Sequence, residues 1–131
     1  MGRRNRNDSD ATGVLVIDKP SGCTSHDIVD QVRRKLGTRK VGHAGTLDPD
    51  ATGVLVLGVG RGTKLLQIVS GTDKQYVGDV VMGVTTDSLD STGAVTGNFE
   101  MNPALSEVIE ASAQFIGDIE QIPPMVSAVK N

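Results

Sequence analysis

Residues 39–60 read RKVGHAGTLDPDATGVLVLGVG. The closing run, GVLVLGVG, is apolar on both faces and short, which predicts a strand enclosed within a sheet. The opening half is a loop of glycine, threonine and proline around Asp48 and Asp50. Asp48 precedes Pro49, which biases it to extended backbone, and Gly45 and Gly53 leave the loop free to approach a ligand closely. An aspartate in such a loop commonly bonds its own backbone as an Asx turn. The competing reading is a carboxylate displayed on a rigid mount, because the loop feeds directly into a buried strand. The residues alone leave both open.

Working outward toward the N-terminus, GVLVIDKPSG predicts a short strand from Val14 to Ile17, stopped by Lys19-Pro20 and a Ser-Gly turn. TSHDIVDQVRRKLG predicts a helix capped by Thr24 or Ser25, with Ile28, Val29, Val32 and Leu36 on one face. Asp27 in its first turn and Arg33, Arg34 and Lys35 in its last suit the helix dipole, and Gly37 supplies the stop. The second histidine, His26, reads as a surface or capping residue of that first turn. Toward the C-terminus, GTKLLQIVSG predicts a brief helix with Thr63 near its cap. KQYVGDVVMGV predicts a strand with Tyr76, Gly78, Val80, Met82 and Val84 on one face. TTDSLDSTG is a polar loop. Asn102-Pro103 opens a second amphipathic helix through Leu105, Val108, Ile109 and Phe115, ended by Gly117. The last segment, DIEQIPPMVSAVKN, reads as extended around Pro123-Pro124, and residues 1–12 as a disordered basic arm. The sum is a mixed α/β domain whose strand order the pattern leaves undetermined.

The 131 residues suffice for one core. No run reaches the length of a membrane span, and the N-terminal arginines are followed by no apolar segment of a secretory signal. A single cysteine, Cys23, forms no internal disulfide and fits a reducing cytoplasm. One cysteine and two distant histidines do not supply a zinc-ligand set, so no metal is expected. The net charge of −3 conceals an asymmetry: residues 1–64 hold eleven Lys/Arg against seven acids, and the remainder two against nine. A basic face for an anionic partner is compatible with that division, as are two solvated surfaces with none. GVGRGTKL lacks the spacing of a Walker loop and the third glycine of a dinucleotide fingerprint. TTDSLDSTG has Ser91 where an EF-hand ligand should stand.

Four segments then carry a resemblance: GVLVIDKPSGCTSHDIV, RKVGHAGTLDPDATGVLVLGVGRGTKL, KQYVGDVVMGVTTDSLDSTG and GDIEQIPPMVSAVK. In that order and spacing they resemble the bacterial tRNA pseudouridine synthase B (TruB) family, over nearly everything after Gly13. The resemblance implies an enzyme that isomerises uridine 55 in the T loop of tRNA, in the cytoplasm. It implies Asp48 as the catalytic nucleophile, His43 as an RNA contact beside the flipped nucleotide, and Tyr76 as the side chain stacking on the target base. Read from its pattern alone, Tyr76 would instead be a core residue at the start of an alternating strand.

Pseudouridylation breaks the glycosidic bond, turns the uracil and rejoins it through C5, which needs no cofactor. A carboxylate attacking C1′ of the ribose or C6 of the base divides one hard step into easier ones. The expected architecture is a pseudouridine-synthase-like mixed sheet flanked by helices, incomplete in this chain. Residues 13–131 correspond to the N-terminal part of the catalytic domain. The rest of that domain, with an arginine partner for the nucleophile, and a C-terminal PUA-type domain are absent. The 131-residue chain alone is therefore expected to be inactive. The alternative is a non-catalytic RNA-binding fragment that docks on the tRNA T-arm.

Overall fold

The apolar run of the opening stretch is the central strand of a three-stranded antiparallel sheet in the computed structural model, which describes residues 9–122. The strands are β1 (Gly13–Lys19), β2 (Val41–Ala44) and β3 (Gly53–Val59), in the order β1-β3-β2. The register pairs Leu15 with Leu57, Ile17 with Leu55 and Lys19 with Gly53 on one side of β3. On its other side it pairs Val41 with Val59 and His43 with Leu57. Because side chains alternate, Leu55, Leu57 and Val59 share a face with Ile17 and Val41.

That face is covered by α1 (Ser25–Leu36). Ile28 and Val29 pack with Val41, Leu47, Leu55, Leu57 and Val59 into the core, flanked by Ile17, Val32 and Leu36. Full enclosure of an aliphatic side chain such as Leu55 or Leu57 stabilises by about 1.5–3 kcal/mol. The helix starts where its sequence predicts. Thr24 and Asp27 form a capping box: the Thr24 hydroxyl accepts from Asp27 N–H at 3.0 Å, and Thr24 N–H donates to the Asp27 carboxylate at 2.8 Å. Those bonds, the Thr24 N–H first, hold the Asp27 carboxyl below the ordinary carboxylate range. Gly37 closes the helix in the left-handed conformation. Arg33 bonds Asp30 at 3.0 Å and reaches the Val41 carbonyl at 3.0 Å, tying the helix to β2.

The opposite face of the sheet is open at Val16 and Val54, which are 68% and 71% exposed. Further along it, Gly42 and Gly58 stand opposite each other. They admit a 3-10 turn (Gly60–Leu65) that continues into α2 (Leu66–Ser70). A Cβ on Gly58 would lie 2.7 Å from the Gly62 carbonyl oxygen, and one on Gly42 3.1 Å from Leu66. The predicted brief helix thus forms, but opens as a 3-10 turn, with the Thr63 hydroxyl donating to the Gly60 carbonyl at 2.9 Å.

Residues 76–122 form a second unit. It contains a hairpin of β4 (Val84–Thr86) and β5 (Val95–Asn98), then α3 (Leu105–Ser112) and a 3-10 turn (Ala113–Phe115). The strand expected over 74–84 is realised only at its end. Residues 74–82 adopt no strand, because a period-2 pattern becomes a strand only where a neighbour completes its hydrogen bonds. The polar loop closes the hairpin around Asp90, whose carboxylate accepts from Ser88 Oγ at 2.6 Å, Thr92 Oγ1 at 2.6 Å and Thr92 N–H at 2.8 Å. These bonds, from the Ser88 hydroxyl first, pull its pKa down to about 2. The α3 helix carries the expected Leu105, Val108 and Ile109 but ends at Ser112, with Phe115 in the 3-10 turn; Leu105, Ile109 and Phe115 are exposed, and no residue of 76–122 is buried. The segment around Pro123-Pro124 and residues 1–8 of the basic arm lie outside the described residues.

Candidate active site

Asp48 lies on the loop from Gly45 to Thr52, between β2 and β3. Gly45 and Gly53 bound it with φ values of 88° and 117°, conformations that a side chain would strain. The loop meets the end of β1 and the start of α1, and each supplies one buried polar side chain to its main chain.

Lys19, the last residue of β1, is fully enclosed, at 0% exposure. Its Nζ donates to three carbonyl oxygens: Pro20 at 2.9 Å, Pro49 at 3.0 Å and Ala51 at 2.7 Å. An ammonium has three donors, and all three are used. The Pro49 carbonyl also accepts from Gly22 N–H at 2.9 Å. On the other side of Asp48, Ser25 is 1% exposed. Its hydroxyl accepts from Leu47 N–H at 2.9 Å and donates to the Leu47 carbonyl at 3.2 Å, while the Leu47 side chain is buried in the core. The Asp48 carbonyl accepts from Ala51 N–H at 3.0 Å, closing the turn.

The carboxylate itself is not used in this scaffold. Asp48 is exposed, and among the described residues its side chain makes no hydrogen bond and no ion pair. The loop is built by other groups, and the Asx turn that the sequence allowed is not formed.

His43, in β2, is half-buried, and its Nδ1 lies 2.6 Å from the Gly45 carbonyl oxygen. A carbonyl only accepts, so Nδ1–H is the donor in this contact, and Nε2 is the ring's other hydrogen-bonding edge. Lys74 is also near this loop: its Cε lies 3.4 Å from where a Cβ on Gly45 would stand. This cation falls in the acidic part of the sequence, yet the fold puts it against the loop that carries Asp48. His43 and Asp48 thus belong to one element pair of the first unit. Tyr76 opens the second unit and is 65% exposed, so the core position that its pattern suggested is not realised. Sequence reasoning missed Lys19 and Ser25 as parts of the site. Lys19 read as a strand stop and Ser25 as a spare cap, and only the contact across thirty residues reveals the former.

The strand–helix arrangement recurs in a solved structure. The crystal structure of a Cbf5-Nop10-Gar1 complex superposes on 90% of this chain and 31% of that chain, with a TM-score of 0.60 and 28% identity. Residues 33–131 match the N-terminal domain of the TruB family of pseudouridylate synthases, and the chain belongs to that family. It is 48% identical to tRNA pseudouridine synthase B of Roseobacter denitrificans over 130 residues, covering 99% of this chain and 43% of the relative. It is 51% identical to tRNA pseudouridine synthase B of Streptomyces coelicolor over 119 residues, covering 90% of this chain and 40% of the relative. The chain thus spans about two fifths of the length of these relatives.

Proposed function

We propose that this chain is the nucleophile-bearing part of a tRNA pseudouridine synthase that isomerises uridine 55 of the T loop. In this reading residues 13–131 are the N-terminal part of the catalytic domain, and the enzyme works in the cytoplasm. Asp48 attacks the flipped nucleotide at C1′ of the ribose or C6 of the uracil. The N1–C1′ bond breaks, the base turns and a C5–C1′ bond forms; the Asp48–carbon bond breaks to return the carboxylate, C5 loses its proton to solvent and N1 takes one up. Atoms balance without an oxidant or a group donor.

The observation that supports the reading is the state of Asp48: an exposed carboxylate without a partner among the described residues, on a loop held from both sides by buried groups. A nucleophile needs that combination of freedom at the reacting atom and rigidity at the backbone. Taking uridine out of its stack leaves it in need of partners. His43 offers a hydrogen-bonding edge beside the loop, and Tyr76 an exposed aromatic face on which a base can stack, worth roughly 1–3 kcal/mol.

Tritium release from C5-labelled uridine tests this directly, with the intact enzyme containing this sequence. Release from tRNA labelled in its uridines, and its loss when position 55 is changed to cytidine, is the expected result. Undiminished release from the position-55 variant would contradict the assigned target.

A further inference from the structure

The same loop holds a relation that the reaction chemistry does not by itself require. Thr24 is fully occupied as the helix cap, since its hydroxyl and its N–H both pair with Asp27. The next hydroxyl, Ser25, faces away from the helix and takes both main-chain groups of Leu47, accepting at 2.9 Å and donating at 3.2 Å. A hydroxyl has one proton to give, and here it is given to the residue that also supplies the hydrogen bond accepted. Pinning N–H and C=O of one residue fixes its backbone direction, and Leu47 is the residue immediately before Asp48. Its side chain is anchored a third time, in the core.

We infer that Ser25 is a positioning residue for Asp48, setting the line along which the carboxylate meets the flipped nucleotide. The inference rests on the reading of Asp48 as the nucleophile. Ser25 touches no reacting atom. It acts through the Leu47 peptide, so its loss lets the carboxylate swing while leaving the RNA-binding surface in place. A small misplacement of a reacting group costs up to about 100-fold in rate.

The test is the single-turnover rate and the tRNA dissociation constant of the intact enzyme, measured well below each variant's melting temperature. Ser25→Ala should slow the chemical step by about 10–100-fold while affinity stays within about threefold. Ser25→Thr, which keeps the hydroxyl, should recover part of the rate. A serine that only stabilised the fold would lower the melting temperature and leave the rate of the folded enzyme unchanged. Should Ser25→Ala fail to fold, Ser25→Cys keeps the volume with a weak donor and reads the same way. A folded Ala or Cys variant with an unchanged rate, beside an inactive Asp48→Asn, overturns the positioning role alone. An active Asp48→Asn, with deamidation excluded, overturns the nucleophile and with it this inference.

Discussion

At the scale of single residues, the fold spends two buried polar side chains on the main chain around one exposed carboxylate. Lys19 is the more demanding of the two. A buried amine is tolerated only when its donors are satisfied, and here each finds a carbonyl. Lys19→Ala would leave the Ala51 carbonyl without that donor and the Pro49 carbonyl with Gly22 N–H alone, and should destabilise the first unit by about 1–3 kcal/mol. A thermal melt of the variant reads this as a clear drop in midpoint, and an unchanged midpoint would mean that water replaces the amine without cost. Asp48 itself was legible in the sequence as one of two alternatives, because its loop chemistry is local. Among the described residues its carboxylate accepts no hydrogen bond, so the Asx turn is not formed. The clamps were not legible, because Lys19–Ala51 and Ser25–Leu47 are contacts between segments that sequence pattern treats separately.

At the scale of elements, local signals were sufficient wherever an element carries its own instructions. The α1 helix has its cap, its apolar face and its glycine stop in sequence order, and it forms over Ser25–Leu36. The β3 strand is marked by its apolar run. The β2 strand, VGHA, has too few residues to show a period, and only pairing with β3 makes it a strand. The Gly42–Gly58 pair has a similar origin in tertiary contact, and it gives a sharp test. Gly58→Ala would place a Cβ 2.7 Å from Gly62 O and 2.8 Å from Thr63 Cα, both backbone atoms that cannot yield alone. It should lift the 3-10 turn from the sheet and cost about 1–3 kcal/mol, read as a lower denaturation midpoint. In the hairpin, Asp90 predicts an acid transition. Its pKa of about 2 lies below the unfolded value of about 3.9. The stabilisation it gives the loop is therefore complete above about pH 4 and lost as pH falls through about 2. The Thr92 amide, monitored by NMR, should titrate with that low midpoint, and Asp90→Asn should abolish the titration. A midpoint near 4 would show that the three bonds do not favour the charged form.

At the scale of the whole molecule, mixed α/β architecture was legible from alternating patterns, whereas strand order was not, since antiparallel pairing is set by contacts between distant segments. The two units differ in how far they are finished. The first encloses a core, while residues 76–122 bury none of their side chains and leave Val77, Val80, Phe115 and Ile122 exposed. If Asp48 serves a flipped base as proposed, water must be expelled around it and those apolar faces need a cover. The 131-residue chain by itself, which spans about two fifths of the length of its relatives, should therefore yield no measurable pseudouridine. Turnover by a purified, mass-verified 131-residue chain would show that these residues form a complete site. The proposed reaction rests on Asp48, and its most direct test is tritium release by Asp48→Asn in the intact enzyme, measured beside its affinity for tRNA. The expected result is loss of turnover with affinity held within a few fold, as a transition-state contact requires. Substantial release by the Asn variant, with deamidation excluded by mass spectrometry, would contradict it.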